Sequence, residues 1–420
     1  MTAFDRSTLD TLARSQPDWR AEQMIEAFAA FEAQELPTAA DEDWKYVDID
    51  FDLSGLAVVA EPGNPIAPGP FTAAAITAAA GTVAIVDGQV TDVSADVDGL
   101  TVRRIADVEE MENAAAVDRD KFAAAHAAFA SDGIRIETRP GAVVDAPLVV
   151  DIQATREGTM TFPHVEFALG DNSEAAVLVV YRSPEDLEAT AVPSVLLSAG
   201  EGARLKFLSV QGWGEATTGL AHQRLRLARD ATGRVGEVGL GGKVGRLDLV
   251  VDLVGAGSSS EVVGLYFGRN EQILDYRMVI NHIGRNTSSD VFLKGAVEDQ
   301  AESVFTGLLR IEKDALRSSA FETNRNLVLS EHAKAHSVPN LEILCNDVVC
   351  GHGSSVGPLE DEHLYYLQSR GIRSERAERM LIRGFFTEVI DRLPIDIVAG
   401  PIQDAVFSRF VEAQEEGRLS

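Results

Sequence analysis

The chain has 420 residues, 45% of them hydrophobic and 25% charged, which is typical of a globular protein with two or three domains or one long repetitive domain. Its formal net charge of −29 would repel nucleic acid and anionic membranes, so a basic recognition surface for either is excluded. No continuous apolar stretch is long enough for a transmembrane helix, and none is expected.

Residues 1–133 predict a mixed and mainly helical N-terminal region. A helix is predicted to open at Pro17, because apolar residues up to Phe31 recur at helical spacing after it. Residues 56–100 are rich in small residues and predict no definite element. A second helix is predicted from Val108 to Ala130, since this alanine-rich stretch ends at an Asp-Gly turn signal.

Residues 134–353 predict a core of stacked β units. Short apolar runs alternate with glycine-rich turns and recur at roughly 25–30 residues, a period typical of repeats that bury their faces only against their neighbours. No helical pattern separates the strands, which disfavours a doubly wound α/β fold. An antiparallel sandwich and a right-handed parallel β-helix both remain, and the irregular strand lengths with shared turn chemistry favour the β-helix.

Residues 354–420 return to helical periodicity. Gly371 is predicted to follow the end of a first helix, and Ser374 to cap the next. The predicted apolar set of that second helix is Ala377, Met380, Leu381, Gly384, Phe385 and Val389. A final helix is predicted over residues 402–413. We expect these helices to cover the open end of the β core, whose last strands would otherwise expose unpaired edges.

The two cysteines, Cys345 and Cys350, are too few for a disulfide framework and fit a reducing cytoplasm. The start of the chain lacks the apolar core of a signal peptide, which gives the same expectation of a cytoplasmic protein. The acidic composition fits a salt-adapted source. It fits equally an alanine- and arginine-rich composition from a high-GC genome.

Cys350 and His352 are the candidate metal-binding residues. Two positions apart on a strand, they would face the same side, where a thiolate and an imidazole can ligate iron or an iron–sulfur intermediate. Two ligands do not complete a site, so a partner, a small thiol or sulfide must supply the rest. Cys345 would face the other side of a continuous strand. A free cysteine is often only a small hydrophobic residue, so a role for Cys350 stays open.

Two other motifs do not support a site. The glycine-rich stretch 233–245 lacks the Ser or Thr of a phosphate loop, because Val244 follows Lys243. We interpret this stretch as glycine-rich turns between β coils. His332 and His336 are four apart but do not form the His-Glu-x-x-His order of a zinc protease. We interpret both histidines as surface residues.

A series of ordered motifs lies between Asn281 and Val389. They are Asn281-His282-Ile283-Gly284, Lys294-Gly295, Phe305-Thr306-Gly307, Asn326 to Ser330, Pro339 to Ile343, Asp347 to Gly353 and Tyr365 to Gly371. Trp44-Lys45-Tyr46 forms a further marker near the start. Together these motifs resemble the SufB/SufD family of iron–sulfur cluster assembly proteins. The SufD branch is the more similar one, because no cysteine precedes Cys345 and glycines rather than glutamates flank His352.

The resemblance implies a parallel β-helix and a place in a complex. A SufD-like subunit pairs with a SufB-like subunit through the β-helix and binds the ABC-type ATPase SufC through its C-terminal helices. ATP hydrolysis belongs to SufC, so this chain is expected not to be an enzyme. A nascent cluster would form transiently at the SufB–SufD interface, with His352 as the metal ligand and Cys350 beside it, and no cofactor would be bound permanently. The expected SufC-binding residues are Tyr365, Tyr366, Arg370, Gly371, Met380 and Phe385.

Two alternatives remain open at this point. The chain could be a self-sufficient scaffold that assembles the cluster as a homodimer. It could also be a β-helix enzyme acting on carbohydrate, which would require paired carboxylates along one groove. If the C-terminal helices only bind a partner and cap the core, deleting residues 356–420 should leave the β core folded.

Overall fold

A computed structural model describes residues 3–47 and 51–415. The helices are α1 Arg6–Ala13, α2 Asp18–Ala33, α3 Pro70–Ile76, α4 Lys121–Phe129, α5 Asp361–Ser369, α6 Ser374–Ile390 and α7 Ala399–Glu415. Short 3-10 turns lie at Glu42–Trp44, Ile105–Asp107 and Asp396–Val398. The strands are β1 Ala57–Val58, β2 Gly81–Val86, β3 Gln89–Ser94, β4 Leu100–Arg104, β5 Ile134–Thr138, β6 Leu148–Gln153, β7 Thr159–Thr161, β8 His164–Leu169, β9 Glu174–Arg182, β10 Thr190–Ala191, β11 Ser194–Ala199, β12 Arg204–Gly212, β13 Thr218–Leu227, β14 Thr232–Gly239, β15 Val244–Leu253, β16 Ser259–Gly268, β17 Ile273–His282, β18 Ser288–Val297, β19 Glu302–Ile311, β20 Ser319–Val328, β21 Lys334–Ile343 and β22 Val349–Gly357.

Two long sheets form the core of the molecule. Sheet A has the order β21-β19-β17-β15-β13-β11-β8-β5-β4, and sheet B has the order β22-β20-β18-β16-β14-β12-β9-β6-β2-β3. Most neighbours are parallel and two apart in chain order, so the chain alternates between the sheets and advances by one strand in each coil. This is a parallel β-helix of about eight turns. The predicted fold class is confirmed, and the sandwich alternative is wrong.

The register of the strands defines the coil. Ser259, Ser288, Ser319 and Val349 are in-register partners on successive strands of sheet B, so one coil takes about thirty residues. Alternate residues of both sheets point into the helix and form one continuous apolar core, which includes Phe207, Tyr276 and Phe305. The sheets also reach beyond residues 134–353, since they begin at β1, which pairs with β7 in sheet A, and end with β22 at Gly357.

The interior of the β-helix is not entirely apolar. Glu237 on β14 is completely buried, and its carboxylate accepts a hydrogen bond from the Ser209 hydroxyl. Its other oxygen, Oε1, has no hydrogen-bond partner in the described part of the chain. Removal from water disfavours the charged form and raises the pKa of Glu237 to about 8. The side chain is therefore mostly protonated at neutral pH.

Glu237 should make the stability of the fold depend on pH. In the unfolded chain this carboxyl returns to its ordinary pKa of 4.5, so unfolding releases a proton at any pH between 4.5 and about 8. The contribution of Glu237 to stability is complete below pH 4.5 and falls as the pH rises to about 8, by up to about 1.4 kcal/mol per pH unit. We expect Glu237→Gln to raise the melting temperature at pH 8 and to leave it nearly unchanged at pH 5. Equal shifts at both pH values would contradict this expectation, and the exposed Glu360→Gln is the control.

The N-terminal region covers the outer face of sheet A. Helices α1, α2 and α4 share an apolar cluster with outward-facing residues of the sheet such as Leu220 and Val304. The Arg246 guanidinium lies 3.8 Å from the centre of the Trp44 ring, and its Nη2 donates to the Asp43 carbonyl at 3.0 Å. These contacts fix the Trp44 segment against the strands. The predicted helix after Pro17 is confirmed as α2.

The predicted helix over residues 108–130 is wrong for its first half. Only α4, at its end, is helical, and Asp120 caps it by accepting a hydrogen bond from the Ala123 amide at 2.8 Å. Upstream, the Glu112 amide donates to Glu166 and the Ala114 amide donates to Ser194, both on strands of sheet A. Side chains of the sheet therefore hold the backbone of this segment in an extended path. These tertiary contacts outweigh the local helix propensity of its alanine-rich sequence.

The C-terminal helices lie against the outer face of sheet B. Phe386 of α6 is completely buried, and its ring stacks on that of Phe267 with the centroids 6.0 Å apart. The outer face of this sheet carries a large apolar cluster that α6 and α7 cover. The expectation that these helices close the open end of the β core is therefore wrong. The larger apolar surface lay on the flank of the sheet, and burying that surface is the stronger driving force.

The same packing corrects the predicted apolar face of α6. Its buried residues are Ala377, Ile382, Phe386, Val389 and Ile390. Met380 and Gly384 are exposed instead. Ser374 is the first helical residue rather than the cap. Gly371 has a φ of +83° just after α5, as predicted for a residue that ends a helix.

No helix in the described ranges is both long and apolar enough to cross a membrane.

Candidate functional site

The last coil of the β-helix, formed by β21 and β22, is uncovered. Each is the final strand of its sheet in the described part of the chain, so one edge of each has no strand beside it. Large apolar side chains are exposed there, including Leu341 at 36%, Ile343 at 41% and Val356 at 45%. Unpaired strand edges beside exposed apolar side chains are typical of a surface that another β structure can extend.

Cys350 and His352 lie on this coil and face the same side of β22. Cys350 is the in-register partner of Ala320, and His352 is the partner of Glu322. Ala320 and Glu322 both point into the β-helix and are buried, so their partners on β22 also point inward. Cys350 is half-buried against the apolar core, whereas His352 is exposed, because no further coil lies over it.

Cys345 lies apart from this pair. It is buried in the connection between β21 and β22 rather than on a strand continuous with Cys350, and it belongs to the apolar core. Within residues 3–47 and 51–415, no group of three or more His, Cys, Asp or Glu side chains is arranged to hold a metal ion. A metal held at His352 would therefore need ligands from outside this chain.

Sequence reasoning missed Glu322, the residue beneath His352. It is only 2% exposed, and neither carboxylate oxygen has a hydrogen-bond partner among the described residues. Burial raises the pKa of Glu322 to about 8. Five consecutive polar residues, 322–326, follow Phe321 on β20, and this run gave no sign that the Glu322 carboxylate points inward. Only the register with β22 reveals its relation to His352.

The predicted ATPase-binding residues lie on and near α5 and α6. Helix α5 has no buried residue, and Tyr365 and Tyr366 are 74% and 56% exposed. The Arg370 guanidinium lies 5.2 Å from the centre of the Tyr366 ring. Met380 is 44% exposed, whereas Phe385 is partly buried against the outer face of sheet B. The structure thus separates an exposed aromatic surface on α5 from the packing face of α6.

A cleft of about 840 Å³ lies between these helices and the last strands of sheet B. At its floor, the buried Lys294 ammonium of β18 donates to the Phe385 carbonyl at 2.7 Å and to the Glu388 carboxylate at 2.6 Å. Lys294 therefore fastens α6 to the sheet. The lining from Gly353 to Gly357 is the second half of β22, so the cleft connects the helical surface to the uncovered coil.

The remaining motif residues have structural roles. His282 is buried, and its two ring nitrogens lie 2.8 Å from the hydroxyls of Thr287 and Ser289. His336 stacks on the Tyr46 ring with the centroids 4.9 Å apart, and it lies 3.0 Å from a Glu302 oxygen. His332 is exposed. The interpretation of the glycines in 233–245 as turns holds only for Gly241 and Gly242, which lie between β14 and β15; the other four lie within these two strands.

Comparison with known proteins assigns the family. A family model described as the SufBD core domain of SUF-system FeS cluster assembly matches residues 152–385. An iron–sulfur cluster assembly SufBD family protein of Mycobacterium tuberculosis is 33% identical over 299 residues, which cover 69% of this chain and 74% of the relative. The iron–sulfur cluster assembly protein SufD of Escherichia coli is 27% identical over 366 residues, 85% of each chain, and that of Bacillus subtilis is 29% identical over 293 residues, 68% of this chain and 66% of the relative. This chain therefore belongs to the SufB/SufD family of iron–sulfur cluster assembly proteins and is SufD-like.

Proposed function

We propose that this chain is the SufD-type subunit of a cytoplasmic complex that also contains a SufB-like subunit and a SufC-like ABC ATPase. The observation that carries the proposal is the uncovered last coil, which brings free strand edges, exposed apolar side chains and His352 to one end of the β-helix. Membership of a cluster-assembly family supports this role over that of a carbohydrate-active enzyme.

The SufB-like partner would bind at the last coil. The outer edges of β21 and β22 leave backbone amide and carbonyl groups unpaired, and strands from a second β-helix could satisfy them. Pairing would also remove Leu341, Ile343 and Val356 from water. His352 faces the same end, so the partner would lie next to its imidazole.

The ATPase would bind at α5 and the adjoining part of α6. Exposed tyrosines are common energetic centres of protein interfaces, and Tyr365 and Tyr366 lie together on a helix with no buried residue. Arg370, Gly371 and Met380 border them, and Phe385 connects this surface to the sheet. Movement of the ATPase would reach the last coil through α6, Lys294 and β18.

The nascent iron–sulfur cluster would be cargo at the interface and not a permanent group of this chain. His352 supplies an exposed imidazole, and Cys350 supplies a half-buried thiol two residues away. Further ligands would come from the SufB-like subunit and from sulfide. In this role the chain orients and holds the nascent cluster, and the SufC-like subunit supplies the energy of ATP hydrolysis.

Co-purification of the three subunits tests the proposal. We expect tagged wild-type chain, co-expressed with its SufB-like and SufC-like partners, to retain both. Tyr365→Ala combined with Tyr366→Ala should lose most of the ATPase and keep the SufB-like subunit, because truncation of aromatic interface centres typically costs about 2 kcal/mol or more each. Ile343→Lys should do the reverse, since it places a charge in the strand interface.

The partner that each variant fails to retain shows whether the two binding surfaces are correctly assigned. Each variant is the control for the other, because all three substituted residues are exposed in the free chain and neither variant should alter its melting temperature. Retention of both partners by both variants would contradict the assigned surfaces. A wild-type chain that binds neither partner and is a dimer by light scattering would favour the self-sufficient homodimer.

A further inference from the structure

A second pocket, of about 310 Å³, lies where helix α7 meets the carboxyl ends of β9, β12, β14 and β16 in sheet B. The proline-rich segment 62–69 and the start of α3 close its other side. Much of its lining is apolar, including Phe71 of α3, Trp213 just after β12 and Ala405 of α7. No residue of this lining lies on the last coil, α5 or α6, so the proposed function does not use the pocket. Its volume is at the small end of the range for ligand pockets.

Three arginines line the pocket, and two of them already have ion-pair partners. The Arg182 guanidinium donates to both Asp151 oxygens, at 2.7 and 2.6 Å, and it also fastens the proline-rich segment by donating to the Ala67 carbonyl. The Nε of Arg269 donates to Glu215 at 2.9 Å. These two cations are balanced by carboxylates and serve to build the walls of the pocket.

Arg409 of α7 is the third arginine, and it lacks such a partner. Its guanidinium donates to the Phe267 carbonyl at 3.0 Å and lies 3.4 Å from the Gln272 side-chain oxygen, and within the described part of the chain it makes no ion pair. Both acceptors are neutral. Burial and the nearby Arg269 cation lower the pKa of Arg409 to about 10, so the guanidinium is still charged at neutral pH.

The carboxylates around the pocket do not compensate this charge. Glu215 is held by Arg269 and also accepts a hydrogen bond from the Asn270 side chain at 3.1 Å. Glu185 is exposed at the rim, where water screens it. Withdrawal of a cation from water without an ion pair is costly for the folded state, so an anion that enters the pocket and meets Arg409 would relieve that cost.

We propose that this pocket binds a small organic anion, with its carboxylate or phosphate group on the Arg409 guanidinium and its apolar part against Phe71 and Trp213. The planar guanidinium fork matches the oxygens of either group. The apolar lining would exclude a fully hydrated inorganic ion and favour an anion with a hydrocarbon body. Because Arg409 and Ala405 lie on α7, such a ligand would also fasten this helix to the ends of the sheet strands.

Titration calorimetry of the full chain with benzoate and with phenyl phosphate tests the pocket. Benzyl alcohol, which lacks the charge, and inorganic phosphate, which lacks the apolar part, are the control probes. We expect at least one of the two organic anions to bind once per chain and at least tenfold more tightly than either control probe. It should also raise the melting temperature, because a ligand that binds only the folded chain stabilises it.

Two substitutions on α7 connect this binding to the pocket. Arg409→Gln removes the charge and should weaken binding at least tenfold, since charge-assisted hydrogen bonds are lost. Ala405→Leu narrows the pocket while keeping Arg409, and it should weaken binding as much. Arg383→Gln is the matched control, because Arg383 is an exposed arginine of α6 that also lies near an aromatic ring, 5.2 Å from the centre of Phe407. It should leave binding unchanged.

The proposal can fail independently of the proposed function, because these titrations need no partner subunit. Failure of both organic anions to bind the wild-type chain would overturn it. Binding that a folded Arg409→Gln variant leaves unchanged, or that Arg383→Gln weakens equally, would overturn it as well. If Arg409→Gln does not fold, Ala405→Leu decides in the same way. A preference for benzoate or for phenyl phosphate supports the pocket in either case and distinguishes a carboxylate ligand from a phosphate ligand.

Discussion

Replacing His352 by alanine is expected to lower the cluster yield of the co-expressed complex by about tenfold or more, a loss typical of removing a group that holds a metal. The imidazole is exposed at the uncovered coil, so it is placed to meet an ion that arrives at the open end of the β-helix. A methyl group can neither ligate iron nor relay a proton. Cluster yield is measured from visible absorption and from the iron and sulfide content per complex.

The fold should tolerate this change. His352 has glycines on both sides, and exposed substitutions usually alter stability by no more than about 0.5 kcal/mol. Cys350→Ala is the companion variant, and it should have a milder effect on yield if the thiol only packs against the core. A normal yield with His352→Ala would remove the histidine from the mechanism. A lost yield with a large fall in melting temperature would make His352 a structural residue.

Phe386→Ala is expected to destabilise the chain by about 3–5 kcal/mol, the range for truncating a fully buried phenylalanine. The ring lies between α6 and the outer face of sheet B and stacks on Phe267. Its loss leaves a cavity in the cluster that fixes both C-terminal helices. Denaturant unfolding measures the effect, and Met380→Ala on the exposed side of α6 is the matched control, with little change expected.

The same cluster reverses the expectation for a truncated chain. Deleting residues 356–420 would expose Leu265, Phe267 and Phe292 on the flank of sheet B, so we expect aggregation rather than a folded core. A soluble, cooperatively folding truncation would show that the β-helix does not need its C-terminal helices. Equal unfolding free energies for Phe386→Ala and Met380→Ala would contradict the assigned packing face of α6.

The repeated architecture could be predicted from the sequence, because each coil is a local unit and its apolar runs and turns recur along the chain. It could not show where the C-terminal helices pack, since the apolar outer face of sheet B arises from residues such as Leu208 and Val263 in separate coils. The helix that was wrongly predicted before α4 also reflects contacts between distant parts of the chain, because Glu166 and Ser194 on other strands hold its backbone.

The candidate site was partly predictable for a related reason. Cys350 and His352 are neighbours in sequence, so strand periodicity was enough to place them on one face. Glu322 is thirty positions earlier, and only the register of β20 and β22 makes it the neighbour of His352 on the adjacent strand. Its lack of a hydrogen-bond partner depends on the surrounding coils. Relations of this kind follow from stacking between coils and leave no pattern along the chain.

Anaerobic reconstitution with iron and sulfide tests most directly whether this chain works as one subunit of an assembly complex. The same concentrations are supplied to the purified chain alone and to the complex with the SufB-like and SufC-like subunits, and visible absorption is recorded after desalting. We predict a stable cluster chromophore on the complex and none retained by the chain alone, because His352 and its neighbours provide only part of a cluster site. A stable chromophore on the chain alone, with iron and sulfide in cluster stoichiometry, would contradict the subunit role and favour a self-sufficient scaffold.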